Sequence, residues 1–353
     1  MTWVGFDLHK RYITACAVND GGELVAEHRR LLPDVAALLA WLAALPGPVT
    51  VALEATLYWA WLHDHLVDAG IAVVAANAYQ VKLIWSARNK TDPIDARKLA
   101  DLLRVHLLPA VWVPTPAVRA QRTLLRGRVY LVRRRTSVKN RIHAHLTAEN
   151  CRTGVTDLYG VAGRAWLAAV PLSEAARLQV DLLLGLVDYL DAQIARLDPR
   201  VKRLAAGHPV AHQLQTWPGI GAFGAALFLA ELGDIRRFRS SHELAAYAGL
   251  TPSTRSSGDK TRHGAVGRAG NPWLKWLLIE VVQSLKLAPG PIGAQYHKLL
   301  RSKGKAKATV AAARKLCCYL YWSLTQGWSY TEWLQQHEGS WGVRPTQTLV
   351  SIV

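Results

Sequence analysis

Two acidic residues near the start of the chain each follow an apolar segment that we predict to be a strand. Asp7 follows residues 3–6, and Glu54 follows residues 49–53. In an α/β sheet the carboxyl ends of adjacent strands open onto one crevice, so two acids placed there would face each other. A single strand-end carboxylate more often makes only a local hydrogen bond. Two carboxylates held close together need a cation or a shared proton, and the pair therefore predicts a site.

Two further acids, Asp92 and Asp95, lie at the start of a predicted helix. A purely structural interpretation explains both, with Asp92 as the N-cap, Pro93 as the first helical residue and Asp95 in the first turn. Positions three apart also share one face of a helix, so both carboxylates could face the crevice of Asp7 and Glu54. Oxygen ligands of this kind suit Mg²⁺ or Mn²⁺, and two such ions about 4 Å apart are a known arrangement for phosphodiester cleavage.

The segments before residue 115 predict an α/β domain that begins with antiparallel strands. Strands are predicted at residues 3–6, 12–18 and 23–29, with a hairpin turn at Asn19-Asp20-Gly21-Gly22. Helices and strands then alternate: helices at residues 34–45 and 58–69, and strands at 49–53, 71–75 and 110–113. Pro114 and Pro116 mark the end of this domain.

The charge of the chain predicts a polyanionic partner. The 353 residues include 43 Lys and Arg against 25 Asp and Glu, a formal net charge of +18, and half of them are hydrophobic. This is the composition of a folded protein, and nucleic acid is the leading partner class. The cysteines have no Cys-x-x-Cys spacing, which argues against a zinc knuckle and a disulfide framework. The longest apolar stretch is too short for a membrane span, and the charged residue Asp7 lies where a signal peptide would have its apolar region. We therefore expect a cytoplasmic protein without a membrane partner.

Two stretches without acidic residues concentrate the positive charge. Residues 117–148 have helical periodicity and no proline, and a second run covers residues 298–315. Exposed Lys and Arg ordinarily form a solvated surface, but a protein that needs only solubility would intersperse both signs. We therefore predict nucleic-acid binding by Arg119, Arg122, Arg126, Arg128, Arg133, Arg134, Arg135, Lys139 and Arg141 in the first run, and by Lys303, Lys305 and Lys307 in the second.

After the first basic run the sequence predicts mostly helices. Residues 174–197 have the apolar period of a packing helix, and a helical domain follows from residue 208. This domain contains a basic loop rich in Gly, Ser and Thr, in which Ser253, Ser256 and Ser257 could equally belong to an exposed linker.

Further phosphate contacts are predicted in the same half of the chain. Gly219 and Gly221 precede an apolar helix and could form a backbone cradle for phosphate, although a packing role is an equal alternative. Arg255, Arg262 and Arg268 are candidate nucleic-acid contacts beside the serines, with a plain surface position as the alternative.

Short motifs in both halves of the chain carry a resemblance to a known family. The first half contains Gly5-Phe6-Asp7, Leu53-Glu54-Ala55-Thr56 and Asn89-Lys90-Thr91-Asp92-Pro93-Ile94-Asp95-Ala96-Arg97. The second half contains Thr216-Trp-Pro-Gly-Ile-Gly221, Ala246-Tyr-Ala-Gly-Leu-Thr-Pro252, Ser256-Ser257-Gly258 and Arg268-Ala-Gly-Asn-Pro-Trp-Leu-Lys275. In order and spacing these motifs resemble the DEDD transposases of bacterial insertion sequences, in the "one-ten" family with its "eleven-eleven" group of bridge-RNA-guided recombinases.

The resemblance implies a fold, a site and a reaction. It implies an RNase H-like (RuvC-like) nuclease domain at residues 1–115, a basic helical coiled-coil connector at 116–205, a helical transposase domain at 206–338 and a tail at 339–353. It further implies that Asp7, Glu54, Asp92 and Asp95 hold Mg²⁺ or Mn²⁺ around the scissile phosphate and that a serine attacks phosphorus. The spacing from Gly249-Leu250-Thr251-Pro252 identifies that serine as Ser257, with Ser256 left open.

The predicted function is RNA-guided DNA transposition through a phosphoserine intermediate. The implied partners are donor and target DNA, a guide (bridge) RNA, and further copies of the chain, from dimer to tetramer, with acids and serine supplied by different subunits. One alternative is an RNase H-like, metal-dependent, structure-specific endonuclease that uses water, which would form no covalent adduct. Another is a non-catalytic nucleic-acid scaffold, which would bind in a salt-sensitive way without forming product.

Overall fold

The computed structural model describes residues 1–56, 58–85, 91–257, 260–267, 270–288 and 290–337, without the side chains of residues 254–263. The chain divides into two compact units, Met1–Val113 and Pro114–Val353. The first unit is a mixed α/β domain and the second is mainly helical. None of the helices that the structure describes is both long and apolar enough to cross a membrane. The predicted tail at residues 339–353 lies outside the described residues.

The first unit is built on a five-stranded sheet with the order β3-β2-β1-β4-β5. Strand β1 pairs antiparallel with β2 and parallel with β4, β2–β3 is antiparallel, and β4–β5 is parallel. This arrangement is consistent with the expected RNase H-like domain. The strands are β1 Thr2–Leu8, β2 Ile13–Val18, β3 Leu24–Leu31, β4 Val49–Glu54 and β5 Ala72–Ala76, and the helices are α1 Val35–Ala43, α2 Ala60–Asp68, α3 Ala78–Ile84 and α4 Asp92–Arg104.

The two faces of the sheet are covered differently. Phe6 and Leu53 are fully buried and pack with Leu38 of α1 and Leu62 of α2. On the opposite face, Ala52 packs with leucines of α4. Because side chains alternate along a strand, Asp7 and Glu54, one position beyond Phe6 and Leu53, face the side on which α4 lies.

The second unit begins with two long helices, α5 and α7, whose apolar faces pack together. Its second half forms the largest core of the described chain, around α8 to α12. Helix α12 is interrupted by non-helical backbone at Gly304 (φ 75°, ψ 167°). The elements are α5 Pro116–Ala148, α6 Val161–Ala169, α7 Glu174–Ala206, α8 Pro209–Gln215, α9 Ala222–Leu232, α10 Ser241–Tyr247, β6 Pro252–Ser257, β7 Lys260–Val266, α11 Pro272–Leu285, α12 Pro291–Gln326 and α13 Tyr330–Gln336, with a 3₁₀ turn at Ile235–Arg237.

Two local predictions are wrong. Residues 110–113 form only an isolated bridge between Ala76 and Ala110, because Pro109 and Pro114 flank the segment and cannot donate to a sheet ladder. The loop with the serines is not a linker but the hairpin β6–β7, paired from Pro252↔Val266 to Ser257↔Lys260. The sequence signal for a hairpin was Gly258-Asp259, a pair of residue types that is typical of two-residue hairpin connections.

Candidate active site

Parallel pairing of β1 with β4 brings Asp7 and Glu54 to the same edge of the sheet. The last pair in the register is Phe6 with Leu53, and the two acids follow one residue later. Asp7 is still within β1, opposite Thr14 of β2, whereas Glu54 is the last residue of β4. Both residues therefore lie at the carboxyl ends of neighbouring parallel strands, and a shared metal site for Asp7 and Glu54 stays a prediction.

Helix α4 adds Asp92 and Asp95, but it begins one residue earlier than the sequence predicted with Asp92 as the N-cap. Thr91 is the N-cap, with extended backbone (φ −138°, ψ 152°), and Asp92 is the first helical residue. The Asp92 carboxylate is therefore not used as the cap. It accepts a hydrogen bond from the Tyr12 hydroxyl at 2.9 Å instead. Asp95 follows one turn later, 3.9 Å from the ammonium of Lys98.

His9 lies between two of these acids, and the sequence reasoning missed it. Its Nε2 is 3.0 Å from Oδ2 of Asp7 and 3.3 Å from Oδ2 of Asp92. The three ligand atoms lie within 4.8 Å of one another and could hold a metal ion. The available signal was the position of His9 two residues after Asp7, beyond the end of the strand. The sequence reasoning also missed Tyr12, which lies in the same connection between β1 and β2 and whose ring centroid is 4.7 Å from that of His9.

The electrostatics of the cluster favour a bound cation. Burial raises the pKa of the Asp7 carboxyl, and the charges of Asp95 and Asp92 raise it further, against an opposing effect of His9. The hydrogen bond to Asp92 is the main cause of the raised pKa of Tyr12. The imidazole of His9 occupies a position between carboxylate oxygens that a cation would favour. The Asp7 side chain keeps 22% exposure, which leaves a hard oxygen accessible from solvent. This donor set fits a divalent metal ion.

The predicted nucleophile lies at the tip of the β6–β7 hairpin. Ser257 is the last residue of β6 and pairs with Lys260, Ser256 pairs with Thr261, and Arg255 pairs with Arg262. The structure describes the backbone but not the side chains of these residues, so the choice between Ser257 and Ser256 stays open. Arg268 lies outside the described residues.

Several arginines of the basic helix α5 have partners within the second unit. Arg126 and Arg122 pair with Glu231 of α9, Arg128 pairs with Asp198 at 2.7 Å, and Arg135 pairs with Asp191. Other cations of this helix make polar or ring contacts: Arg119 donates to the carbonyl oxygen of Pro114 at 2.6 Å, and Lys139 lies 4.2 Å from the Tyr159 ring centroid. The stretch of α5 without acidic residues therefore does not form a surface without acids, because α7 and α9 supply the carboxylates that pair with its arginines.

Other basic residues are exposed. In α5 these are Arg133, Arg134 and Arg141. The guanidinium of Arg133 lies 5.4 Å from the ring of Trp273 and 5.2 Å from that of Trp276. In α12 the three predicted lysines Lys303, Lys305 and Lys307 are all exposed, on both sides of the break at Gly304. No acidic partner contacts these three lysines among the residues that the structure describes.

The glycines before α9 differ from each other. Gly219 has a φ of +85°, and a Cβ there would lie 2.9 Å from Cβ of Ser284, which indicates close packing. Gly221 is the N-cap of α9, and a Cβ there would meet nothing within 4 Å. A phosphate cradle at Gly219 and Gly221 stays a prediction, carried by the open position of Gly221.

Comparison with known proteins gives matches in both halves of the chain. Residues 4–150 match the family model of DEDD transposases of the IS110 type, described as a transposase, and residues 211–298 match the model described as transposase IS116/IS110/IS902 family. The transposase for insertion sequence element IS1328 of Yersinia enterocolitica is 28% identical over 93% of this chain and 98% of its own length. A probable family 20 transposase of Pseudomonas aeruginosa is 30% identical over 78% of this chain and 81% of its own length. The transposase for insertion sequence element IS1111A of Coxiella burnetii is 25% identical over 93% of this chain and 90% of its own length.

Proposed function

The chain belongs to the IS116/IS110/IS902 family of insertion-sequence transposases, enzymes that cut and rejoin DNA, and from this premise we propose a serine-based, Mg²⁺-assisted and RNA-guided reaction. The observation that carries the proposal is the convergence of Asp7, His9 and Asp92, with Asp95 close enough to raise the pKa of Asp7. In this proposal the first unit is an RNase H-like (RuvC-like) nuclease domain.

The carboxylates of Asp7, Glu54, Asp92 and Asp95 are the proposed ligands of Mg²⁺. The bound ion would supply Lewis-acid stabilisation of the charge that develops on the phosphate oxygens. Helix α4 contributes two of these ligands from its first turn. Tyr12 fixes the Asp92 carboxylate through its hydrogen bond, and Nε2 of His9 lies 3.3 Å from the same carboxylate.

The proposed covalent step uses the hydroxyl of Ser257. Its oxygen forms a bond to the scissile phosphorus, the bond from phosphorus to one deoxyribose oxygen breaks, and the serine proton ends on that leaving oxygen. Attack by the deoxyribose hydroxyl of another DNA end reverses these events, so the strand is rejoined and the serine released. A serine ester conserves the phosphodiester energy, and no nucleotide cofactor is needed.

The net charge of +18 and the exposed basic residues support binding to DNA and to a guide RNA. The guide itself follows from the resemblance. Sequencing the RNA that copurifies with the chain tests it, because a guide predicts one discrete RNA encoded by the element. Bulk cellular RNA alone would remove the guide from the proposal and leave the nuclease chemistry.

A second copy of the chain is the proposed partner of α7. Leu178, Leu182, Leu186 and Tyr189 of α7 are exposed by 58%, 61%, 43% and 60%, whereas Val180 and Val187 of the same helix are buried in the core shared with α5. Apolar positions three and four residues apart are typical of a helix that pairs with another. Dimers formed through this surface, and tetramers built from them, would combine acids and serine from different copies.

A covalent protein–DNA adduct is the decisive test of the chemistry. The full chain with its copurified RNA, incubated with Mg²⁺ and duplex DNA carrying the element's ends, should form an adduct that tryptic mass spectrometry assigns to Ser257. Ser257→Ala should abolish the adduct and Ser256→Ala should retain it. Cleavage by Ser257→Ala without an adduct would favour the water-using endonuclease. Binding without any product in the wild type would favour a scaffold.

A further inference from the structure

One fully buried carboxylate in the second unit has no part in the chemistry proposed above. The Glu231 side chain is 0% exposed, and Arg126 of α5 binds it through two hydrogen bonds, Nε to Oε1 at 2.7 Å and Nη2 to Oε2 at 2.8 Å. Arg122 lies 3.7 Å from Oε2 and donates to the carbonyl oxygens of Ala230 and Glu231. A charge is stable in such a position only when it is paired and hydrogen-bonded.

The other partners of Glu231 lie at the feet of the β6–β7 hairpin, by which we mean residues 247–250 before β6 and residues 270–271 after β7. Asn271 donates from Nδ2 to Oε2 of Glu231 at 2.9 Å. The Tyr247 hydroxyl donates to the carbonyl oxygen of Glu231 at 3.3 Å. The backbone N–H of Asn271 also donates to the carbonyl of Tyr247 at 2.6 Å. The second foot is therefore tied to the side chain of Glu231 through Asn271, the first foot is tied to the Glu231 backbone through Tyr247, and the two feet are bonded to each other.

The backbones of the two feet also touch. Gly270 has a φ of +102°, and a Cβ there would lie 2.5 Å from N and Cα of Gly249. Asn271 in addition caps α11, accepting from the backbone N–H groups of Trp273 and Leu274 at 2.9 and 3.2 Å. The two feet of the hairpin are thus in close contact at Gly249 and Gly270, and Glu231 links them to α5 through Arg126.

We propose that Glu231 is a positioning residue that fixes the direction of the hairpin carrying Ser257, an inference that rests on the proposed serine chemistry. Strand β6 has six residues and ends at Ser257. At a rise of about 3.3 Å per residue, a tilt of about 5° at the feet moves the tip by almost 2 Å. Nucleophilic attack requires the reacting atoms about 3–3.5 Å apart, and a misplacement of about 1 Å can cost about 100-fold in rate.

Glu231→Gln is the primary test, made in the full chain with its copurified RNA and the element-end duplex. The amide cannot accept both hydrogen bonds of Arg126, so we expect the rate of Ser257 adduct formation to fall at least about tenfold, with duplex affinity within about twofold of wild type. Hydrogen–deuterium exchange of residues 252–266 should rise while that of the core helix α12 stays unchanged. Asp198→Asn is the matched control, because it removes another α5 ion pair that does not reach the hairpin. An unchanged adduct rate, or a rise in exchange that includes α12 equally, would overturn the proposal.

The double variant Arg126→Gln/Glu231→Gln distinguishes a role of Glu231 in positioning the hairpin from a requirement for its negative charge. It also provides a test if the single variant Glu231→Gln does not fold. It replaces the buried ion pair by an amide pair that can still bind Asn271. We expect hairpin exchange and adduct rate to return towards wild type together. Restored exchange with a lost adduct, or a double variant that does not fold, would contradict a positioning role. Failure of the proposed function has a different signature, since an adduct that persists when Ser256 and Ser257 are both replaced by alanine refutes the serine chemistry whatever Glu231 does to the hairpin.

Discussion

Gly5 of β1 and Ala96 of α4 are in direct backbone contact. A Cβ on Gly5 would lie 2.0 Å from the carbonyl oxygen of Ala96 and 2.7 Å from the backbone N of Ala100. Only a residue without a side chain allows α4 to lie this close to the strand. This contact sets the height of the α4 N-terminus above Asp7 and therefore the spacing of the acidic cluster.

Gly5→Ala is expected to destabilise the first unit and to abolish DNA cleavage. The methyl group meets backbone, which cannot rotate away, so α4 must move, at a cost of at least about 2 kcal/mol in the free energy of unfolding. Gly127→Ala is the matched control, because Gly127 lies in the middle of α5 and a Cβ there would meet nothing within 4 Å. Since alanine favours a helix more than glycine does, this change should raise the free energy of unfolding by about 0.5–1 kcal/mol. Chemical denaturation measures both, and a Gly5→Ala protein as stable and active as wild type would refute the role of this contact.

Asp92→Asn and Asp95→Asn should each lower DNA cleavage at least about 100-fold, more than is typical for loss of a residue that only supports a ligand. Asp101→Asn is the control on the same helix, since Asp101 pairs with Arg97 at 2.8 Å and belongs to no proposed metal site. We expect it to keep most of the activity. Cleavage rates at saturating Mg²⁺ provide the measurement. Equal losses for Asp101 and Asp95 would mean that α4 acts only as a packing element.

Much of the first unit follows from its sequence, because short apolar segments between Gly and Pro signals give both the strands and their order. Asp7 and Glu54 could be predicted because strand ends are visible as the last residue of an apolar run. His9 and Tyr12 could not, since they lie in the β1–β2 connection and meet Asp92 only after α4 docks on Gly5. The start of α4 was assigned one residue late, because Asp and Thr are both good N-caps and the sequence does not choose between them.

The second unit was harder to predict at the level of side chains. The helix α5 is visible in its periodicity, but the partners of its arginines are distant in sequence, as with Arg126 and Glu231. A chain without neighbouring acids suggests a free basic surface, and the fold uses part of that charge for internal ion pairs. The β6–β7 hairpin was overlooked because Ser, Thr and Gly are typical of both linkers and turns.

The stability of the metal-free protein should depend on pH through Asp7. Burial raises the pKa of this carboxyl above its ordinary value of 3.8, so the stabilisation exists while Asp7 is protonated and is lost as pH rises through the folded-state pKa. In EDTA at neutral pH, Asp7→Asn should therefore have a higher Tm than wild type, and the difference should shrink towards pH 4. Added Mg²⁺ should raise the Tm of wild type but not that of Asp7→Asn. Thermal unfolding across this range decides, and a variant that gains as much from Mg²⁺ as wild type would contradict the metal site.

The exposed apolar stripe on α7, formed by Leu178, Leu182, Leu186 and Tyr189, predicts that charged residues on this surface prevent association of two copies of the chain. Leu182→Glu/Leu186→Glu places charges in the middle of the stripe without disturbing the buried positions on the opposite side, such as Val180 and Val187. We expect sedimentation equilibrium to report a monomer with an unchanged helix content. Ala168→Glu, an exposed position on α6, should leave the assembly intact. An unaltered mass for the double variant would mean that copies associate through another surface.

The lysines around Gly304 should contribute to nucleic-acid binding through charge alone. Lys303, Lys305 and Lys307 are exposed, so Lys303→Gln/Lys305→Gln/Lys307→Gln should leave the Tm unchanged. If each lysine neutralises one phosphate, their loss should reduce the slope of log K against log salt concentration by about 2 to 3 for duplex DNA. Arg126→Gln makes an informative comparison, because Arg126 is bound to buried Glu231 and its loss should lower the Tm much more than the salt slope. Fluorescence anisotropy over a salt series gives the slopes, and an unchanged slope in the triple variant would show that phosphates bind elsewhere.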